Sequence, residues 1–145
     1  MADPTILVVV DDSPEFQTAL RYAANAAQRE SATVTLLYVV EPNGIEAWGG
    51  VQRAMEDEAF DEARGKMVAH EKLVEELSGK NPVSVYRKGE SRIELLDVIE
   101  KTPEITALVL ATGMKEGANP LIHHLTSDKG LRKLSVPLII VPVKT

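Results

Sequence analysis

Apolar residues fall along this chain in short unbroken runs that alternate with longer stretches of helical period. Thr5-Ile6-Leu7-Val8-Val9-Val10 is apolar at nearly every position instead of every second one, as in a parallel strand covered on both faces. Asp11-Asp12-Ser13 ends it. Ser13, Pro14 and Glu15 then read as a helix start: a hydroxyl to cap free amides, a proline whose missing N–H does no harm, and an acid near the positive end. Phe16, Leu20, Ala23 and Ala27 share one face of that helix. Thr33 to Val40 reads as the second strand, ended by Glu41-Pro42-Asn43-Gly44. Val51 to Leu77 spaces its apolar residues for a long helix solvated on one side, irregular near Gly65 and ended by Gly79. Val83 to Tyr86 is a third strand. Ser91-Arg92-Ile93-Glu94 has the spacing of a capping box and opens a helix that Pro103 closes. Ile105 to Ala111 is the fourth strand, Thr112 to Asn119 a loop with glycines, Pro120 to Leu134 a helix, and Val136 to Val141 the fifth strand.

Strand and helix alternating in this way predict an α/β fold: a parallel, doubly wound sheet with right-handed crossovers and helices on both faces. Ligands in such sheets sit beyond the carboxyl ends of the strands, where the winding reverses. The segments that matter for function are therefore Asp11-Asp12-Ser13, the loop after Val40, Gly89-Glu90-Ser91 and Thr112 to Asn119.

With 145 residues, 44% of them apolar, the chain suits one domain over residues 1–145 with one core. Sixteen lysines and arginines against 22 aspartates and glutamates leave a formal charge of −6, which opposes binding to a nucleic-acid backbone. The absence of cysteine removes disulfides, thiolate metal sites and cysteine nucleophiles. Met1-Ala2-Asp3-Pro4 carries an acid where a secretory signal carries a base, and no apolar run approaches the roughly 18 residues that cross a bilayer. A cytoplasmic protein with no membrane partner is expected.

Ile6-Leu7-Val8-Val9-Val10-Asp11-Asp12-Ser13 with Ala19-Leu20-Arg21-Tyr22-Ala23, then Leu36-Leu37-Tyr38-Val39-Val40, Gly89-Glu90-Ser91 and Val136-Pro137-Leu138-Ile139-Ile140-Val141, resembles the universal stress protein family over nearly the whole chain. The resemblance implies a five-stranded sheet of order 3-2-1-4-5. It also implies a homodimer joined through the last strand, here Leu138, Ile139, Ile140 and Val141.

Many members of that family bind ATP through a loop reading Gly-x-x-Gly, then nine residues, then Gly and a serine or threonine. Laid on this chain without gaps, the pattern meets Ala111, Met114, His124 and Leu125, and all four depart. A shifted frame using Gly113 and Gly117 ends at Ser127, and recovers a hydroxyl at the expense of the flanking match. Glycine lets main-chain amides touch phosphate oxygens, whereas methionine and histidine fill that space and leucine has no hydroxyl. Losing two charge-assisted hydrogen bonds lowers affinity on the order of a hundredfold. The expectation is a regulatory or interaction domain in stress response that lacks a usual ATP site and is not an enzyme. The alternative is an adenine-nucleotide sensor, for ATP or AMP, that keeps the nucleoside half of the pocket. Asp11 and Val39 match that half, and Thr112, Gly113 and Gly117 are the remaining candidates for a ligand pocket.

Other chemistries are weighed on the same residues. A receiver domain would use Asp11 and Asp12 for Mg²⁺, but Glu41 and Arg87 stand where its phosphoacceptor belongs. Ser13 with His123 or His124 lacks any elbow motif, and His70, His123 and His124 lack metal-ligand spacing on one helix face. His123, His124 and Lys115 are candidate replacement cations, although adjacent histidines point to different faces. Trp48, between Gly44 and Gly49-Gly50, is a candidate anchor for a protein partner or a residue packed on the long helix.

Overall fold

The computed structural model of the chain describes residues 3–41, 50–113 and 119–143. In chain order the elements are β1 (Thr5–Val9), α1 (Phe16–Glu30), β2 (Thr33–Val40), α2 (Gly50–Ser78) and β3 (Val83–Lys88), then α3 (Ser91–Lys101), β4 (Ile105–Ala111), α4 (Pro120–Thr126), α5 (Asp128–Lys133) and β5 (Leu138–Val141). The five strands form one parallel sheet in the order β3-β2-β1-β4-β5, the order that the family resemblance implies. Among the described residues no helix is long and apolar enough to cross a membrane.

The first apolar run is explained by its two faces. Ile6, Val8 and Val10 pack with Phe16, Leu20 and Ala23 of α1 and with Met67 and Val74 of α2. Leu7 and Val9 point the other way, to Leu95 and Val98 of α3 and Leu125 of α4. Successive strand side chains alternate between faces, so both must be apolar when helices cover both.

Several local expectations need correction. Helix α1 begins at Phe16, not Ser13: residues 13–15 form a turn in which the Phe16 amide donates to the Ser13 carbonyl at 3.2 Å. The Ser13 hydroxyl donates to Asp11 instead of capping the helix. Helix α2 runs unbroken through Gly65, where an added Cβ would meet no atom within 4 Å, so the expected irregularity is absent. Gly79 does end it, at φ +79°, with its amide donating to Glu75. The expected helix from Pro120 to Leu134 is two helices, because Ser127 turns extended and its hydroxyl accepts from the Gly130 amide at the start of α5. Strand β3 continues two residues past Tyr86, pairing Arg87 with Val39 and Lys88 with Val40. Strand β5 starts at Leu138, not Val136.

Candidate functional site

The chain leaves β1 toward β2 on one side, while β4 lies on the other, so the winding reverses between β1 and β4. A cavity of about 390 Å³ opens at that point, beyond the carboxyl ends of the strands. This is the size of a small-molecule site. Val9, Val10 and Leu110 give it an apolar floor, extended by Pro120 and Leu121 of α4. Its polar side chains come from four places: Asp11 and Ser13 after β1, Glu41 after β2, Glu90, Ser91 and Arg92 at the start of α3, and Asn119 and His124 around α4.

Most of these are held by an identifiable contact. One carboxylate oxygen of Asp11 accepts from both the amide and the hydroxyl of Ser13, the amide at 2.8 Å. This is the local turn that aspartate forms with the backbone two residues on. One oxygen of Glu41 accepts from the Ser91 amide at 3.2 Å and from the Ser91 hydroxyl at 2.8 Å. The expected capping box is therefore not formed: the Ser91 hydroxyl goes to Glu41, and Glu94 faces Arg87 at 3.6 Å. Arg87 also reaches Asp97 at 2.8 Å, and Lys101 and then Arg87 hold the Asp97 carboxyl below its usual pKa. Gly89 makes the turn from β3 into α3 at φ +147°, and an added Cβ would lie 2.8 Å from a Glu94 oxygen. Only glycine suits that place, and the turn delivers Glu90, Ser91 and Arg92 to the cavity.

Among the side chains lining the cavity, Asp11, Glu41 and Glu90 are acids, and Arg92 and His124 are bases. Arg92 lies 3.3 Å from Glu90. Among the described residues no group of three or more histidines, aspartates or glutamates is placed to hold a metal ion. The arrangement can bury the face of a small ring on the aliphatic floor and accept hydrogen bonds from its hydroxyls. Among the described residues its lining carries three carboxylates against one guanidinium and one imidazole, a balance that does not favour a phosphate.

The residues singled out from the sequence separate here. Asp11 and His124 line the cavity; Val39 does not, and packs against the cluster of Leu7, Leu37 and Leu95. Thr112 is used structurally, its hydroxyl accepting from the Val143 amide at 3.1 Å and its amide donating to Val141. Neither Thr112 nor Gly113 lines the cavity. Ala111 is buried at the end of β4, and its carbonyl accepts from the Asn119 side chain at 2.8 Å. Leu125 is 1% exposed and belongs to the core under the sheet. Ser127, the hydroxyl of the shifted frame, donates to the His124 carbonyl and accepts from Gly130, and it is not on the cavity wall. Ser13 and His124 both line the cavity, with the Ser13 hydroxyl given to Asp11. Met114, Lys115, Gly117 and Trp48 lie outside the described residues. Glu41, Asn119 and Arg92 were not among the ligand-pocket candidates read from the sequence. The loops that carry them were, because their position at strand ends was legible.

The model of the universal stress protein family matches residues 4–142. No curated protein matches the chain. Among solved structures, the universal stress protein UspA of Lactobacillus plantarum superposes with a TM-score of 0.79 at 24% identity, over 97% of this chain and 99% of that one. A universal stress protein of Archaeoglobus fulgidus in complex with dAMP gives 0.67 at 17% identity, over 97% and 99%. A universal stress protein in complex with cAMP gives 0.62 at 15% identity, over 97% and 98%. At these identities the structural likeness speaks for the fold alone.

Proposed function

Because this chain belongs to the universal stress protein family over residues 4–142, we propose that it is a regulatory or interaction domain of stress response that does not hold ATP by the family's usual phosphate grip. The observation that carries this reading is the pair His124 and Leu125. Where the family's pattern asks for glycine and a hydroxyl, this chain has an imidazole on the cavity wall and a leucine sealed in the core. A leucine in that core adds apolar burial to the fold and offers nothing to a phosphate oxygen. The neighbouring hydroxyl of Ser127 is engaged in joining α4 to α5. The domain on this reading performs no catalysis, works in the cytoplasm as a homodimer through β5, and serves a protein partner.

A second reading keeps the nucleoside half of the site. It is favoured by the cavity itself, with Asp11 on the wall above an aliphatic floor, and by relatives solved with dAMP and cAMP. Calorimetric titration of the full chain with Mg-ATP and with adenosine tests both. Mg-ATP is expected to bind no tighter than high-micromolar, since on the order of a hundredfold in affinity goes with two lost phosphate contacts. Low-micromolar Mg-ATP affinity overturns the first reading. Saturable adenosine binding establishes the second.

A further inference from the structure

We propose that Glu41 is a built-in anion of the crevice and makes it select uncharged, hydroxyl-bearing ligands over their phosphorylated forms. The proposal rests on the reading that the cavity holds a nucleoside-sized ligand. Glu41 stands at the end of β2, far along the chain from Ser91, yet one of its oxygens accepts both the amide and the hydroxyl of Ser91, the first residue of α3. The start of a helix leaves amides unsatisfied and carries the positive end of the dipole, which is where proteins hold phosphates and other anions. Glu90, in the capping position of this helix, makes no side-chain cap bond. The chain's own carboxylate, brought from another strand, occupies the place an incoming anion would take.

Glu41 is also part of the cavity wall, so its charge faces whatever enters. Asp11 and Glu90 add the same sign, and Arg92 is drawn to Glu90 at 3.3 Å. A phosphate group therefore meets like charge and has to displace a carboxylate that is already hydrogen-bonded. A ribose or another polyol meets the opposite situation. Among the described residues, the second oxygens of Asp11 and Glu41 accept no hydrogen bond, and ionised carboxylates are strong acceptors for hydroxyl protons.

The test titrates adenosine, AMP and inorganic phosphate into the full chain and into Glu41→Gln, which removes the charge while keeping an oxygen for Ser91. Circular dichroism confirms that the variant is folded, and Glu41→Ala serves as a second variant. The unaltered chain is expected to bind adenosine at least roughly tenfold more tightly than AMP, and the variants to narrow or invert that ratio by roughly tenfold through a gain for AMP and phosphate. Added salt is expected to narrow the ratio in the unaltered chain. A ratio unmoved by either substitution overturns the role of Glu41 and leaves the nucleoside reading standing. A gain of phosphate binding in the variants with no adenosine binding to any form supports exclusion by Glu41 and overturns the nucleoside reading. No binding of any probe to any form overturns both.

Discussion

His70 on α2 meets the edge of the Phe16 ring at 4.9 Å between centroids, and its Nδ1 stands 3.5 Å from the Gln17 side-chain nitrogen. Burial in this contact pushes the imidazole pKa below its usual 6.5, and the Asp12 carboxylate opposes the shift more weakly. Lys66, on the same helix, pairs with Asp12 at 3.3 Å. The folded chain thus binds the proton less readily than the unfolded one. The stability tied to neutral His70 is complete above the unfolded value and is lost as pH falls through the folded one. The Tm is expected to drop between about pH 7.5 and pH 5.5, and His70→Leu to lessen that drop in scanning calorimetry. Equal drops in both proteins would assign the effect to other groups. Residue by residue, then, identity alone does not reveal role. His124 and Leu125 are neighbours in sequence, and one lines the cavity while the other fills the core.

Two glycines inside helices show how the elements are stabilised, and they behave oppositely. Gly65 lies in the middle of α2 with open space around its missing side chain, so it costs helix entropy for no packing gain. Gly65→Ala is expected to stabilise the protein by about 0.5–1 kcal/mol in urea denaturation. Gly130 lies in α5, where an added Cβ would sit 2.0 Å from the His124 carbonyl oxygen and 3.0 Å from the Leu125 Cα. These are backbone atoms and cannot move aside as a flexible side chain would. Gly130→Ala is expected to destabilise by about 1–3 kcal/mol or more, and unchanged stability would refute the close approach of α4 and α5. The same approach explains why the helical pattern from Pro120 onward does not give one straight helix. Ser127 breaks it, and the two halves fold back closely enough that only glycine fits.

At the scale of the whole molecule the sheet has two edges of different character. Strand β3 ends in Arg87 and Lys88, which are tied by ion pairs to α3 and to Glu56 of α2. Charge of this kind discourages another strand from docking. Strand β5 is Leu138-Ile139-Ile140-Val141, with Ile140 36% exposed and no charged residue within the strand itself. A second copy is expected to pair there, with Pro142 limiting the ladder to the residues before it. Ile140→Lys is expected to lower the mass seen in light scattering from dimer to monomer while leaving the circular dichroism spectrum unchanged. A monomer mass for the unaltered chain at all concentrations would reject the dimer. With a formal charge of −6 on the chain, the pairing depends on this apolar edge prevailing over a general mutual repulsion.

The parallel sheet and the place of the crevice were legible in the apolar pattern, the strand order came from the family resemblance, and β2 and β4 were bounded to the residue, as Thr33–Val40 and Ile105–Ala111. The physical reason is that a strand covered on both faces has to be apolar at successive positions, and alternation with helices leaves few windings open. The capping roles of Ser13 and Ser91 were misread for the complementary reason, although α3 does open at Ser91. A serine near a helix start can bond its own backbone, a neighbouring carboxylate or a distant one, and local spacing does not choose among them. Tertiary structure chose Asp11 for Ser13 and Glu41 for Ser91. It likewise decided that Thr112 ties down Val143, that Val39 packs against the core instead of the cavity, and that Leu125 is sealed away from any ligand. Apolar period follows from covering a face and is written locally, whereas partners for polar side chains are set only when distant segments meet.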